Sequence, residues 1–516
     1  MNLNEPDRAE AELTEAVATG DSETIARVAM HNVWPLLSSH AALLITVISA
    51  LPTSIVERYP ALKIVHPMTA VQARVARPFR PQLYTETARS MSPEEIDFLI
   101  LAQLISFRAS GDVAGSLLYA RRLSERIQEV RIESRDRLDG PLWYFHHQIG
   151  STYLLAGDSG RALLEFATAR QLGKLSAQID AERIALGRIA LCHALRGAVS
   201  DAERTLVEAR ALPPPTPAHV MSSVSTECTA AALIAADMMA DDLDELLGEL
   251  PPYDSIELTW PFVLLARARV FLARGLPEEA LEAVRLTRDS HAVQPGSYAF
   301  DIIGAMSVSA LTAMGDWGAA QRAAQEYSGR GGTMVRLAVV RLSLLENKLT
   351  QAKRQLRALA QDERLGPSSQ AEIILLSGWL ELVDTADLHR ETAMRIQRVV
   401  RNRERRRLIG MLPRQLVDRV QELLPEDVAV EFDGYTRGQV HLEIRERPAL
   451  TPSELRVLHA LVDHRSVATI ATEFAVSRNT IKSQLRSLYK KLDSSTREDA
   501  LRAAAQLHLL ESSTVD

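Results

Sequence analysis

The sequence predicts an all-α protein, a long superhelix of helical hairpins followed by a four-helix C-terminal domain. Three observations predict it. Aromatic residues make up only 5% of the 516 residues, while alanine and leucine abound, a balance that favours helix over strand. A glycine turn followed by a helix carrying Ala-x3-large-x2-Ala recurs through the middle of the chain. Near the C-terminal end, four short amphipathic segments each open on a residue suited to cap a helix. A chain of this length is expected to hold two to four domains, and we read them as 1–91, 92–386, 387–447 and 448–516.

Residues 23–65 give an irregular helical opening, punctuated by Trp34-Pro35-Leu36-Leu37, Leu51-Pro52 and Pro60-Ala61-Leu62. The repeat follows, between about residues 92 and 360. Gly157-Asp158 precedes Ala162, Phe166 and Ala169; Gly197 precedes Ala202, Leu206 and Ala209. Gly275 leads to Ala280, Val284 and Thr287, and Gly315-Asp316 to Ala320, Ala324 and Tyr327. The first alanines are spaced 40, 78 and 40 residues apart, so the period is near 40 with one degenerate unit around Asp242. Gly111-Asp112 and Ala352 mark weaker units on either side. Small residues at fixed positions let the helices of a hairpin approach closely, and large ones fill the gap to the next unit.

The stretch from Arg390 to Arg407 reads RETAMRIQRVVRNRERRR and predicts a last helix with an exposed basic end. A short β-hairpin is then predicted, with Val428 to Phe432 as one strand, a turn through Asp433-Gly434, and Gln439 to Ile444 as the other. Arg445-Glu446-Arg447-Pro448 leads into the last domain.

In that domain Thr451-Pro452-Ser453-Glu454 is a capping box with proline at the first helical position. Ser466 and Ser477 cap the second and third helices, and Thr496-Arg497-Glu498-Asp499 opens the fourth. The tight turn near Ala475-Val476 gives helix-turn-helix geometry, which places the third helix in a DNA major groove. That helix carries Arg478, Lys482, Arg486 and Lys490 every four residues, with no acid between Ser477 and Leu492. At about 100° per residue the four stay within one stripe. Asn479, Thr480, Ser483, Gln484 and Ser487 lie among them as groups able to reach bases or phosphates, while Ile481, Leu485, Leu488 and Leu492 face the core.

Net charge is −7, divided as −10 over the first 390 residues and +3 over 391–516. An acidic body with a mildly basic end suits a protein that touches nucleic acid at one end only. Cys192 and Cys228 cannot build a disulfide framework and read as buried thiols of a reduced, cytosolic protein. The acidic N-terminus lacks the positive region of a signal peptide, and the apolar run Ala41 to Pro52 is too short to span a bilayer. No metalloprotease, hydrolase-elbow, dinucleotide or paired CxxC motif occurs. His146-His147, beside Trp143, Tyr144 and Phe145, reads as packed on an apolar helix rather than as a metal site. No enzyme activity, catalytic residue, metal or cofactor is expected.

Leu450-Thr451, Glu454, Val457-Leu458, Ile470-Ala471, Ser477, Thr480-Ile481-Lys482, Lys491-Leu492 and Arg497 together resemble the LuxR-type DNA-binding domain. Gln484, Asp493 and the pair Ala468-Thr469 depart from that family's usual residues. The resemblance implies double-stranded DNA as partner, with Lys482, Ser483 and Arg486 at base edges. Thr469, Ser477, Arg478, Thr480, Gln484, Tyr489 and Lys490 would contact the backbone. It also implies a homodimer on DNA through the fourth helix, at Ala500, Leu501, Ala504 and Leu507. Gly150, Tyr153, Gly157, Ala162, Phe166 and Ala169 resemble tetratricopeptide repeats, and the segment 23–65 resembles the start of the repeat region in MalT-like regulators. Those regulators begin with a nucleotide-binding domain, whereas no G-x-x-x-x-G-K-[ST] occurs here. The chain is therefore expected to be the back half of such a protein standing alone. The function expected is transcription regulation, with a peptide, protein or small-molecule effector, or RNA polymerase, bound by the repeats. The other reading is an interaction scaffold with a non-specific DNA tether.

Overall fold

The computed structural model describes residues 5–59, 62, 93–130, 142–175, 180–216, 219–253, 259–362, 365–401, 405–437, 450–464, 466–492, 494–506 and 509–510. Among these described residues are 28 helices and no strand. The opening five are α1 (Glu5–Thr19), α2 (Ser22–His31), α3 (Val33–Ser39), α4 (Ala41–Ala50) and α5 (Thr53–Val56). They share one apolar core with α6 (Pro93–Ala109), α7 (Val113–Val130) and α8 (Leu142–Leu155).

Paired helices then follow. α8 packs on α9 (Ser159–Leu175), α10 (Ala181–Arg196) on α11 (Val199–Arg210), and α12 (Val220–Met238) on the short α13 (Leu243–Glu249). Next come α14 (Trp260–Ala273) with α15 (Pro277–Ser290), and α16 (Tyr298–Ala313) with α17 (Trp317–Ser328). The last pairs are α18 (Thr333–Leu345) with α19 (Leu349–Ala360), and α20 (Pro367–Thr385) with α21 (Arg390–Val400). The first helices of successive pairs stack on one another from α10 through α12, α14, α16 and α18 to α20.

The alanine triads explain the pairing. Ala162, Phe166 and Ala169 on α9, and Ala202, Leu206 and Ala209 on α11, are buried. So are Ala280, Val284 and Thr287 on α15, and Ala320, Ala324 and Tyr327 on α17. In α19 Ala352, Leu356 and Leu359 do the same. These spacings fall on one helical face. The turns between partners use left-handed backbone at Gly111, Gly157, Gly197, Gly275 and Gly315, while Met239 and Asn347 take that conformation in the irregular units.

The stack curves until its far end meets an earlier part, with α20 touching α10. There a Cβ on Gly197 would lie 2.3 Å from the Cβ of Ser368, so only glycine admits this approach. After α21 come α22 (Arg406–Gly410), α23 (Arg414–Leu423) and α24 (Glu426–Thr436), which join the core formed by α18 to α20. α22 also touches α12.

Two expectations for this junction are corrected. Val428 to Phe432 is not a strand but part of α24. Pro425 precedes the helix and Glu426 and Asp427 occupy its first turn, favourable positions at the positive end of a helix. Phe432 and Thr436, four residues apart, are its buried face. The partner strand, Gln439 to Ile444, lies outside the described residues. The basic run is not wholly exposed either. Arg395, Arg398, Arg401 and Arg406 face solvent, but Arg407 turns inward and its Nε donates to Asp237 of α12 at 2.5 Å.

Candidate nucleic-acid interface

The C-terminal helices are α25 (Pro452–Asp463), α26 (Val467–Glu473), α27 (Arg478–Lys491) and α28 (Arg497–Gln506). Each start is fixed by the residue expected to fix it. Thr451 and Glu454 form the reciprocal capping box. The Ser466 hydroxyl accepts from the Thr469 N–H at 3.1 Å, and the Ser477 hydroxyl from the Thr480 N–H at 3.1 Å. The Thr496 hydroxyl accepts from the Asp499 N–H at 3.0 Å. Each such cap satisfies a backbone donor that the helix itself leaves unpaired.

Apolar residues then set the geometry. Val457, Leu458, Leu461, Ile470, Ala471, Ile481, Leu485, Leu488 and Leu492 form one core with Ala500 and Ala504. Between α26 and α27 the chain turns at Ala475, whose φ is +53°, and the Val476 N–H donates to the Ala471 carbonyl at 3.0 Å. Arg456 lies over the Phe474 ring, 4.7 Å from its centre, and covers this turn.

Glu454 ties α25 to α27. Its carboxylate accepts from the Thr451 N–H, the Ser487 hydroxyl and the Lys491 ammonium, each at 2.7 Å. Burial opposes ionisation, but the hydrogen bonds from Lys491, Ser487 and Thr451 outweigh it and hold the carboxyl at about 2, below its ordinary 4.5. Arg497 pins α28 by donating through Nε to the Leu461 carbonyl at 3.1 Å.

With its inner face so anchored, α27 presents Arg478, Asn479, Thr480, Lys482, Ser483, Arg486 and Lys490 to solvent. Gln484 and Tyr489 are half-buried at the edges. Thr469 is exposed at the start of α26, its hydroxyl 2.7 Å from that of Ser466, and Ser477 is exposed at the start of α27. The proposed base-edge residues Lys482, Ser483 and Arg486 thus share the outer face with the basic stripe. Ser487, also read as reaching outward, instead points to Glu454.

The fourth helix is placed differently from a free pairing surface. Ala500 and Ala504 are fully buried within the protomer, Leu501 is half-buried, and Leu507 lies outside the described residues. His147 is buried, and burial together with Arg188 and Arg108 holds its pKa well below the ordinary range, so it is neutral. His146 pairs with Glu165 at 2.7 Å. No helix among the described residues is long and apolar enough to cross a membrane.

Residues 448–504 match the family described as bacterial regulatory proteins, luxR family. No curated protein matches the chain. The chain carries a luxR-family helix-turn-helix domain at its C-terminal end, after a long all-helical body.

Proposed function

We propose that the protein is a sequence-specific, DNA-binding transcription regulator whose helical body receives the signal. The observation that carries this reading is the outer face of α27. Four cations and several short polar side chains share it, no acid interrupts it, and the opposite face is locked into the core. A helix of this kind fits a major groove. In this reading Lys482, Ser483 and Arg486 meet base edges. Arg478 and Lys490 neutralise phosphates, and Thr469, Ser477, Thr480, Gln484 and Tyr489 fix the register on the backbone.

Two protomers bind half-sites about one DNA turn apart. Because Ala500 and Ala504 serve the protomer's own core, pairing through α28 would use Leu501 and the exposed Arg502 beside it. The body is read as a tetratricopeptide-like superhelix, similar to the repeat region of MalT-like regulators. The buried alanine triads and left-handed glycine turns support that reading. Its groove would take an effector or present a surface to RNA polymerase.

The experiment is to select a site from random duplexes with the full chain, then to measure Lys482→Ala and Arg486→Ala. Each should lose about 1–3 kcal/mol at the selected site and less on random duplex. Full selectivity in both variants would place base reading elsewhere.

A further inference from the structure

The curved stack lines an open cavity of about 1050 Å³. Its wall comes from the turn after α8, the C-terminal ends of α10 and α14, parts of α16 and α18, the start of α20, and Arg407 of α22. Among the described residues six arginines line it against four carboxylates, although the chain as a whole carries a net charge of −7. Two of those carboxylates are engaged with backbone. Asp158 accepts from the Arg161 N–H at 3.0 Å, and Asp301 from the N–H groups of Met334 and Val335 at 3.1 and 2.9 Å.

Three arginines from distant parts of the chain converge on this wall, Arg269 on α14, Arg341 on α18 and Arg407 on α22. They share two carboxylates. Asp237 accepts from Arg407 at 2.5 Å and from Arg269 at 3.4 Å, and Glu372 pairs with Arg341. Among the described residues these three guanidiniums thus meet two carboxylates. Arg269 is only 7% exposed, and the Nε–H groups of Arg269 and Arg341 are buried with no hydrogen-bond partner among the described residues. Burial first, and then the neighbouring Arg407, lower the pKa of Arg269, while Asp237 acts in the opposite sense. Unmatched buried charge is costly, and a bound anion offsets that cost.

We propose that this cavity is an effector site for a small molecule bearing a phosphate or carboxylate group, which Arg269, Arg341 and Arg407 hold. The inference rests on the reading of the body as the sensing part. The volume is at the upper end of small-molecule sites, about 300–1,000 Å³. Guanidinium groups match both anions through paired N–H donors. Met306, Leu337 and Ala338 supply apolar wall for the rest of the molecule. Arg407 gives the site a readout. It lies on the segment between the stack and the helix-turn-helix domain, and it is tied to Asp237 of α12. A ligand that competes for this guanidinium changes how α22 is held, and it shifts the protein toward whichever arrangement it binds more tightly.

The test uses the full chain without DNA, titrated with glucose 6-phosphate, citrate, inorganic phosphate and neutral glucose at constant ionic strength, by calorimetry and thermal unfolding. Saturable binding of an anionic probe with a raised Tm, and none with glucose, is expected. Glucose 6-phosphate against citrate separates phosphate from carboxylate selectivity. Arg341→Gln should weaken binding about tenfold or more. Arg330→Gln, at an exposed position on the cavity wall, should weaken it severalfold and keeps the test decisive if Arg341→Gln fails to fold. Arg285→Gln, on an outer helix face, should change nothing. No saturable binding of any of the three anions in the millimolar range, or equal binding in the wild type and the folded cavity variants, would overturn the proposal. Since no DNA is present, failure here leaves base reading by α27 standing, and failure of DNA recognition leaves this binding intact.

Discussion

Glu454 does at the scale of one residue what the helix-turn-helix domain needs as a whole. It caps α25, orients Lys491 and Ser487 inward, and so fixes the rotation of α27. Its carboxyl pKa is lowered from 4.5 to about 2 on folding, so the stabilisation is fully present above about pH 4.5 and is lost as pH falls toward 2. The shift corresponds to on the order of 3 kcal/mol. Glu454→Gln should remove most of that at neutral pH and flatten the acid limb, as read by hydrogen exchange of the α25 and α27 amides. An unchanged acid limb would show that another group controls it. Ala475 offers the opposite case. It is exposed and sits at φ +53°, where a Cβ costs about 1–2 kcal/mol. Glycine relieves that strain and loses about 0.5–1 kcal/mol of it to backbone entropy. Ala475→Gly should therefore raise the domain's stability by about 0.5–1 kcal/mol, seen as slower exchange in the same amides. The capping residues were legible in the sequence because a cap is a local bond across three residues. Arg407 was not legible, because its partner Asp237 lies 170 residues away and nothing local distinguishes it from its exposed neighbours.

At the scale of the element, the repeat is a packing rule written in small residues. Phe166 is fully buried, and a Cβ on Gly150 would come within 2.9 Å of its ring, so the glycine makes room for the aromatic. Phe166→Ala should cost about 3–5 kcal/mol, measured as a lower urea midpoint of the body with unchanged DNA affinity per folded molecule. A cost below about 1 kcal/mol would mean that the hairpins do not depend on the triads. The triads could be read in advance because each places three buried residues on one face of a single helix. The degenerate unit was harder. Met239 stands at the left-handed turn position where five other units have glycine, and α13 is only seven residues long. The junction misled for a different reason. Val428-Ala429-Val430-Glu431-Phe432 is short and rich in β-branched residues, a pattern that fits a strand or a buried helix. The proline before it, the two acids in its first turn and the core that receives Phe432 decide for helix.

At the scale of the whole molecule, an acidic helical body with an arginine-lined cavity is joined to a domain whose exposed helix is basic. The connection runs through α22, where one side chain, Arg407, belongs to both the cavity wall and the segment leading to that domain. All of this has a regulatory meaning only if α27 reads DNA sequence. The most direct measurement is the affinity of the full chain for its selected duplex relative to random duplex, followed across salt concentration. The account predicts a selected site bound at least about 10³-fold more tightly than random sequence, with both affinities falling linearly in log salt as phosphate contacts release counterions. A ratio near one at every salt concentration would contradict it and leave the C-terminal domain as a non-specific tether.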